Sequence, residues 1–131
     1  MARVDQVFHL DEAVEKSLAF ARAVRSHGQL HISGCTSLDG GAVIGIGDMN
    51  VQLRTIYDKL DQILSHHNLT KEHVIKEVIY TTNMASLNSA SHVRASIYKD
   101  IAPPAVTGVE VSGLIHPDIL VEIEFIAETP T

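Results

Sequence analysis

The residues of this chain best suited to chemistry are two carboxylates set in an apolar strand near its end. Leu120 to Ala127 reads Leu-Val-Glu-Ile-Glu-Phe-Ile-Ala. Strand alternation puts Glu122 and Glu124 on one face and Ile119, Val121, Ile123 and Phe125 on the other. Two readings fit this pattern. A solvent-facing edge accommodates such a pair cheaply. An interface or pocket is the alternative, and there a carboxylate among apolar neighbours has a raised pKa and can pass a proton near neutral pH. Upstream, Pro103-Pro104 halts any helix and leads into an extended run, Ala105 to Val111.

The other reactive residues offer less. Cys35 is the lone cysteine, so no internal disulfide forms and a reducing, cytoplasmic setting is expected. As a nucleophile it needs a nearby base, and His31 is too far along an extended chain to serve. A small, semi-buried residue is the simpler reading. Eight histidines raise the question of a metal. His66 and His67 are adjacent on a helix and diverge, and no His/Cys set has ligand spacing, so no metal is expected. They suit the negative end of the helix dipole instead. The glycines between Gly40 and Gly47 lack the spacing and the lysine of a phosphate loop, and no cofactor is expected.

The elements that must position these residues can be read in outline. Leu18 to Val24 is predicted as a strand, broken at Ser26-His27-Gly28, with Gln29 to Ser33 as its hairpin partner. Gly34 to Asp48 reads as a loop or irregular hairpin turning at Gly40-Gly41. Leu53, Ile56, Tyr57, Leu60, Ile63 and Leu64 recur at helical spacing, with Asp48 as N-cap and Asn68 as a left-handed terminator. His73 to Thr82 is apolar on both faces at its centre, as an inner strand is. A second helix is predicted from about Ala85 to Tyr98, capped by Asn83 or Ser86, with Arg94 on its apolar stripe. The order is ββ-α-β-α-ββ, an α+β domain in which both helices pack on one face of a mixed sheet.

The C-terminal segment, Pro103-Pro104-Ala105-Val106-Thr107-Gly108-Val109-Glu110-Val111 followed by Leu120-Val121-Glu122-Ile123-Glu124-Phe125-Ile126-Ala127, resembles the signature of the RidA/YjgF family, also called the endoribonuclease L-PSP family. The resemblance runs from about Phe20 to Ala127. It implies a chorismate-mutase-like fold, a homotrimer with small-molecule clefts between subunits, and deamination of imines and enamines. Glu122 falls on the glutamate implied to position or activate the hydrolytic water. Val106 falls where deaminating members carry the arginine that grips a substrate carboxylate, and valine offers neither charge nor donor. Phe20 stands for a tyrosine, keeping the ring without the hydroxyl. Ser33-Gly34 matches the cleft-bordering Ser-Gly, with Cys35 at its mouth, and Ser91 replaces an asparagine. The resemblance thus implies an altered ligand on a retained scaffold, and poor activity on standard 2-imino acids; a non-catalytic ligand-sensing or regulatory trimer is the alternative reading. Arg94 is the best candidate for a relocated cation, and an ion pair in packing fits it equally well.

Bulk properties agree. A length of 131 residues suits one domain, residues 1–131. The hydrophobic content of 45% and mean hydropathy of +0.11 come without an apolar run near the roughly 20 residues that span a bilayer. No membrane association is expected, and part of the apolar surface is expected between subunits. The start, Met1-Ala2-Arg3-Val4-Asp5, lacks the layout of a secretory signal. A net charge of −6 disfavours nucleic acid as partner, and with it RNA cleavage. Arg22 and Arg25, on opposite faces of a strand, make only a weak basic patch.

Overall fold

The computed structural model describes residues 6–130. In chain order the strands and helices are β1 (Gln6–Phe8), α1 (Glu12–Ser17), β2 (Ala23–Ser26), β3 (Gln29–Cys35), β4 (Leu38–Asp39), β5 (Ala42–Val43), α2 (Met49–His66), β6 (Val74–Thr81), α3 (Met84–Ser89), α4 (Ser91–Ile97), β7 (Ala105–Glu110) and β8 (Val121–Glu128). A six-stranded sheet runs β1-β2-β3-β8-β6-β7. It is mixed: β7 lies parallel to β6, and every other neighbouring pair is antiparallel.

The long helix follows from its sequence. Asp48 caps it by accepting from the Val51 amide, and all six predicted apolar positions are buried. Asn68 ends the segment at φ +59°, a backbone state asparagine tolerates. The helix packs on β8 and β3, joined by Val93 of α4, so helices cover one face of the sheet. β8 alternates as expected: Val121, Ile123, Phe125 and Ala127 are buried, whereas Glu122 is half-buried and Glu124 exposed. β6 lies between β8 and β7, the inner position its two apolar faces require.

Two local expectations change. The strand predicted over 18–24 begins only at Ala23. Ahead of it, Asp11 caps α1 by accepting from the Val14 amide, and Ala19 reverses the chain at φ +60°. The apolar run there serves a helix end and a turn rather than a strand. The tight turn His27-Gly28 has φ +51° and +78°, which joins β2 to β3 as predicted. The second helix is two: Ala90, 2% exposed, adopts φ −98° and ψ +12° and divides α3 from α4. The helical stripe continues across the break, which hid it from periodicity. The glycine-rich segment folds as the small β4–β5 hairpin, turning at Gly40-Gly41 with φ +57° and +87°.

Candidate functional site

Glu122 reaches its position by alternation along β8, facing away from the core and opposite Tyr80 of β6. On its other side, the β3–β8 register shifts between Ile32 and Cys35. That irregularity lays the Gly34 backbone directly under the Glu122 side chain. A Cβ at position 34 would lie 1.9 Å from Glu122 Oε2. Glycine is needed here for space, so that the carboxylate can occupy that room.

The carboxylate opens into a cavity of about 1120 Å³. Phe20, Arg22, Ser33, Gly34 and Lys59 share its wall with Glu122. Ser33 is fixed by its hydroxyl, which donates to the Ala21 carbonyl at 2.7 Å. Phe20 lies beneath Arg22, whose guanidinium carbon is 5.2 Å from the ring centre. Leu18 and Ile115 stand on the rim at 59% and 72% exposure.

Burial pushes the Glu122 carboxyl above its ordinary range. The Arg22 charge draws it back down, and Glu124 adds a further upward push. Among the described residues, no N–H or O–H donates to Glu122. It is therefore an open acceptor at a partly desolvated cavity wall, able to bind a ligand donor or take a proton from water. Glu124 differs, because the Tyr80 hydroxyl donates to it at the sheet surface.

Other residues singled out from sequence fall elsewhere. Cys35 is fully buried behind the cavity wall, its thiol donating to the Ser33 carbonyl at 3.4 Å. Burial pushes that thiol up, against the pull of Arg22 and Lys59, which suits a packed side chain rather than a nucleophile. Ser91 begins α4 on the exposed surface, and Val106 is 41% exposed on β7; neither lines the cavity within one chain. Arg94 is committed to packing. It is 2.9 Å from the fully buried Glu77 carboxylate and donates to the Tyr57 hydroxyl at 2.9 Å, while Tyr98 donates to the same carboxylate. Within one chain Arg94 takes the packing ion pair and does not line the cavity. Among the described residues no His, Cys, Asp or Glu cluster could hold a metal ion, and no helix is long and apolar enough to cross a membrane.

Three cavity residues escaped the sequence reading. Lys59 donates to the carbonyls of Thr36 and Leu38 at 2.8 and 3.2 Å. Burial lowers its pKa. Its position beside Leu60 of the apolar stripe was a usable signal. Arg22, read only as part of a weak basic patch, puts its guanidinium in the wall. Glu15 is 2% exposed and accepts from His9 Nδ1 at 2.8 Å and from the Asp11 amide at 2.9 Å. Its position four residues after the Asp11 cap was the only local sign of it.

A mixed sheet with helices on one face, and a carboxylate opening beside an irregular central strand, defines an α+β protein with a cavity at the sheet surface. A family model described as Endoribonuclease L-PSP matches residues 11–129. A RutC family protein from Sulfurisphaera tokodaii is 31% identical over 108 residues, covering 82% of this chain and 85% of that protein. A solved Mycobacterium tuberculosis member of the YjgF family superposes with a TM-score of 0.79 at 26% identity, covering 95% of this chain and 98% of that one. The Rid family protein YyfA from Yersinia pestis gives a TM-score of 0.78 at 29% identity, covering 84% and 87%. The chain belongs to the endoribonuclease L-PSP family, the RidA/YjgF family that its C-terminal segment resembles.

Proposed function

We propose that this protein binds a small, carbon–nitrogen double-bonded metabolite in the Glu122 cavity and hydrolyses it. Glu122 acts as general base on water, which adds to the C=N carbon; the nitrogen leaves as an amine or ammonia and a carbonyl remains. The observation that carries this reading is the half-buried Glu122 carboxylate, raised by burial and without a donor among the described residues, above the space kept open by Gly34. Phe20 supplies an apolar surface for a planar ligand.

The ligand class follows from the cations. Val106 offers no charge, Arg94 is held by Glu77, and the guanidinium of Arg22 already faces Glu15 at 3.7 Å. None of these three offers a free, bidentate grip on a ligand carboxylate. Standard 2-imino acids are accordingly poor substrates, and C=N compounds lacking that carboxylate are the better class.

The assembly we propose is a homotrimer with the cavities at subunit boundaries. Every residue of β7 is exposed, and the apolar rim beside the cavity is uncovered in one chain. Both call for a protein surface against them. With a net charge of −6, nucleic acid is a poor partner.

The test is ammonia release from carboxylate-free and carboxylate-bearing imines by the purified protein and its Glu122→Gln variant. A loss of roughly 100-fold or more in the variant is expected, the range for a removed general base. Equal turnover by both proteins removes Glu122 from the chemistry. Binding without turnover by either makes the protein a ligand sensor.

A further inference from the structure

Glu122 and Arg22 flank the same residue. The carboxylate lies over Gly34, while Arg22 Nη1 donates to the Gly34 carbonyl at 2.9 Å and approaches the Ser33 carbonyl at 3.4 Å. Arg22 therefore holds the irregular stretch of β3 that makes room for the carboxylate. Its backbone adds to the same clamp, since its carbonyl accepts from the Ser33 amide at 3.0 Å.

Arg22 is itself anchored from behind. Its Nε is 3.7 Å from Glu15 Oε2, with the two side chains only 12% and 3% exposed. Glu15 is held in turn by His9 and by the amides of Leu10 and Asp11. The result is a row of alternating charge running from the N-terminus of α1 into the cavity: Glu15, Arg22, Glu122.

We propose that Arg22, anchored by Glu15, is the positioning residue for Glu122, fixing the Gly34 backbone beneath the carboxylate and keeping a positive charge beside it. This inference rests on the reading of Glu122 as the working group of the cavity, and extends it to residues that act through Glu122. Burial favours the protonated form of Glu122, and a protonated carboxyl cannot take a proton from water. The guanidinium opposes that effect. Glu15 matters because it balances Arg22 and keeps the carboxylate from becoming too weak a base. Of the other groups around it, Glu124 on its own strand pushes the carboxyl up, Tyr80 across on β6 and Cys35 on β3 feel its charge, and Lys59 of α2 shares the cavity wall.

The experiment needs neither ligand nor turnover. The side-chain carboxyl of Glu122 is titrated by carbon NMR in the intact protein, its resonance assigned by loss in Glu122→Gln. Arg22→Met is expected to move the Glu122 midpoint to higher pH, on the order of tenfold in proton affinity, the scale of a neighbouring opposite charge. Arg22→Lys should restore much of that change, and Glu15→Gln should move the midpoint below wild type. A residue with only a packing role alters stability without these opposed shifts. If Arg22→Met does not fold, Glu15→Gln carries the test. An unchanged midpoint in Glu15→Gln, or in Arg22→Met where it folds, overturns the proposal. That result leaves the cavity reading intact, because Glu122→Gln turnover tests that reading separately.

Discussion

Replacing Gly34 with alanine separates the cavity from the fold more sharply than any other single change. The new methyl carbon would stand 1.9 Å from Glu122 Oε2, 2.8 Å from its Cδ and 3.0 Å from its Cγ, where ordinary contact begins near 3.4 Å. The carboxylate oxygen must retreat by about 1.5 Å to restore that contact. The obstacle is the end of a flexible side chain, so the fold can yield. Turning Glu122 off its rotamer costs about 0.5–1.5 kcal/mol. Against that, alanine reduces the freedom of the unfolded chain by about 0.4–1 kcal/mol, and position 34 does not use the left-handed region that would forbid it. Gly34→Ala should therefore lie within about 1 kcal/mol of wild type in urea denaturation. In a Glu122→Ala background only the gain remains, and the same change should stabilise by about 0.4–1 kcal/mol. Activity should fall about 100-fold in Gly34→Ala, as for a reacting group displaced by about 1 Å. A loss of several kcal/mol that persists without the Glu122 side chain would refute the reasoning, since the clash would then lie with the backbone.

Two further outcomes concern the framework. Arg94→Met strands the fully buried Glu77 carboxylate with only its tyrosine donors, and should lower the urea unfolding free energy by about 3–5 kcal/mol; a loss below about 1 kcal/mol would show that the hydroxyls suffice. Glu15 has a folded pKa below its ordinary value: burial raises it, but the Asp11 amide, His9 and Arg22 together outweigh that effect. Its contribution is thus present above the ordinary carboxylate range and is lost as pH falls through the lower, folded value. Stability of wild type should drop more steeply than that of Glu15→Gln as pH falls below about 4.5, measured by thermal melts across that window.

Sequence alone carried the parts of this protein that depend on local repetition. The α2 stripe, its Asp48 cap, the inner strand β6, the His27-Gly28 turn and the two-faced pattern of β8 each follow from side-chain spacing over neighbouring residues, where periodicity and burial agree. The C-terminal signature carried the family, and with it Glu122 and Ser33-Gly34 as cavity candidates. Where a helical pattern ran through Ala90, or an apolar run ended α1, the same local signal misplaced an element.

The surroundings of Glu122 belong to tertiary structure. Glu15, Arg22, Lys59 and Glu122 come from α1, the segment before β2, α2 and β8, and no spacing along the chain relates them. Folding decided that Arg94 faces Glu77 while Arg22 faces the cavity. Both are arginines on partly apolar segments, and only the position of a buried partner carboxylate distinguishes their roles. Charge acts through space across strands and helices, whereas sequence records only order along the chain.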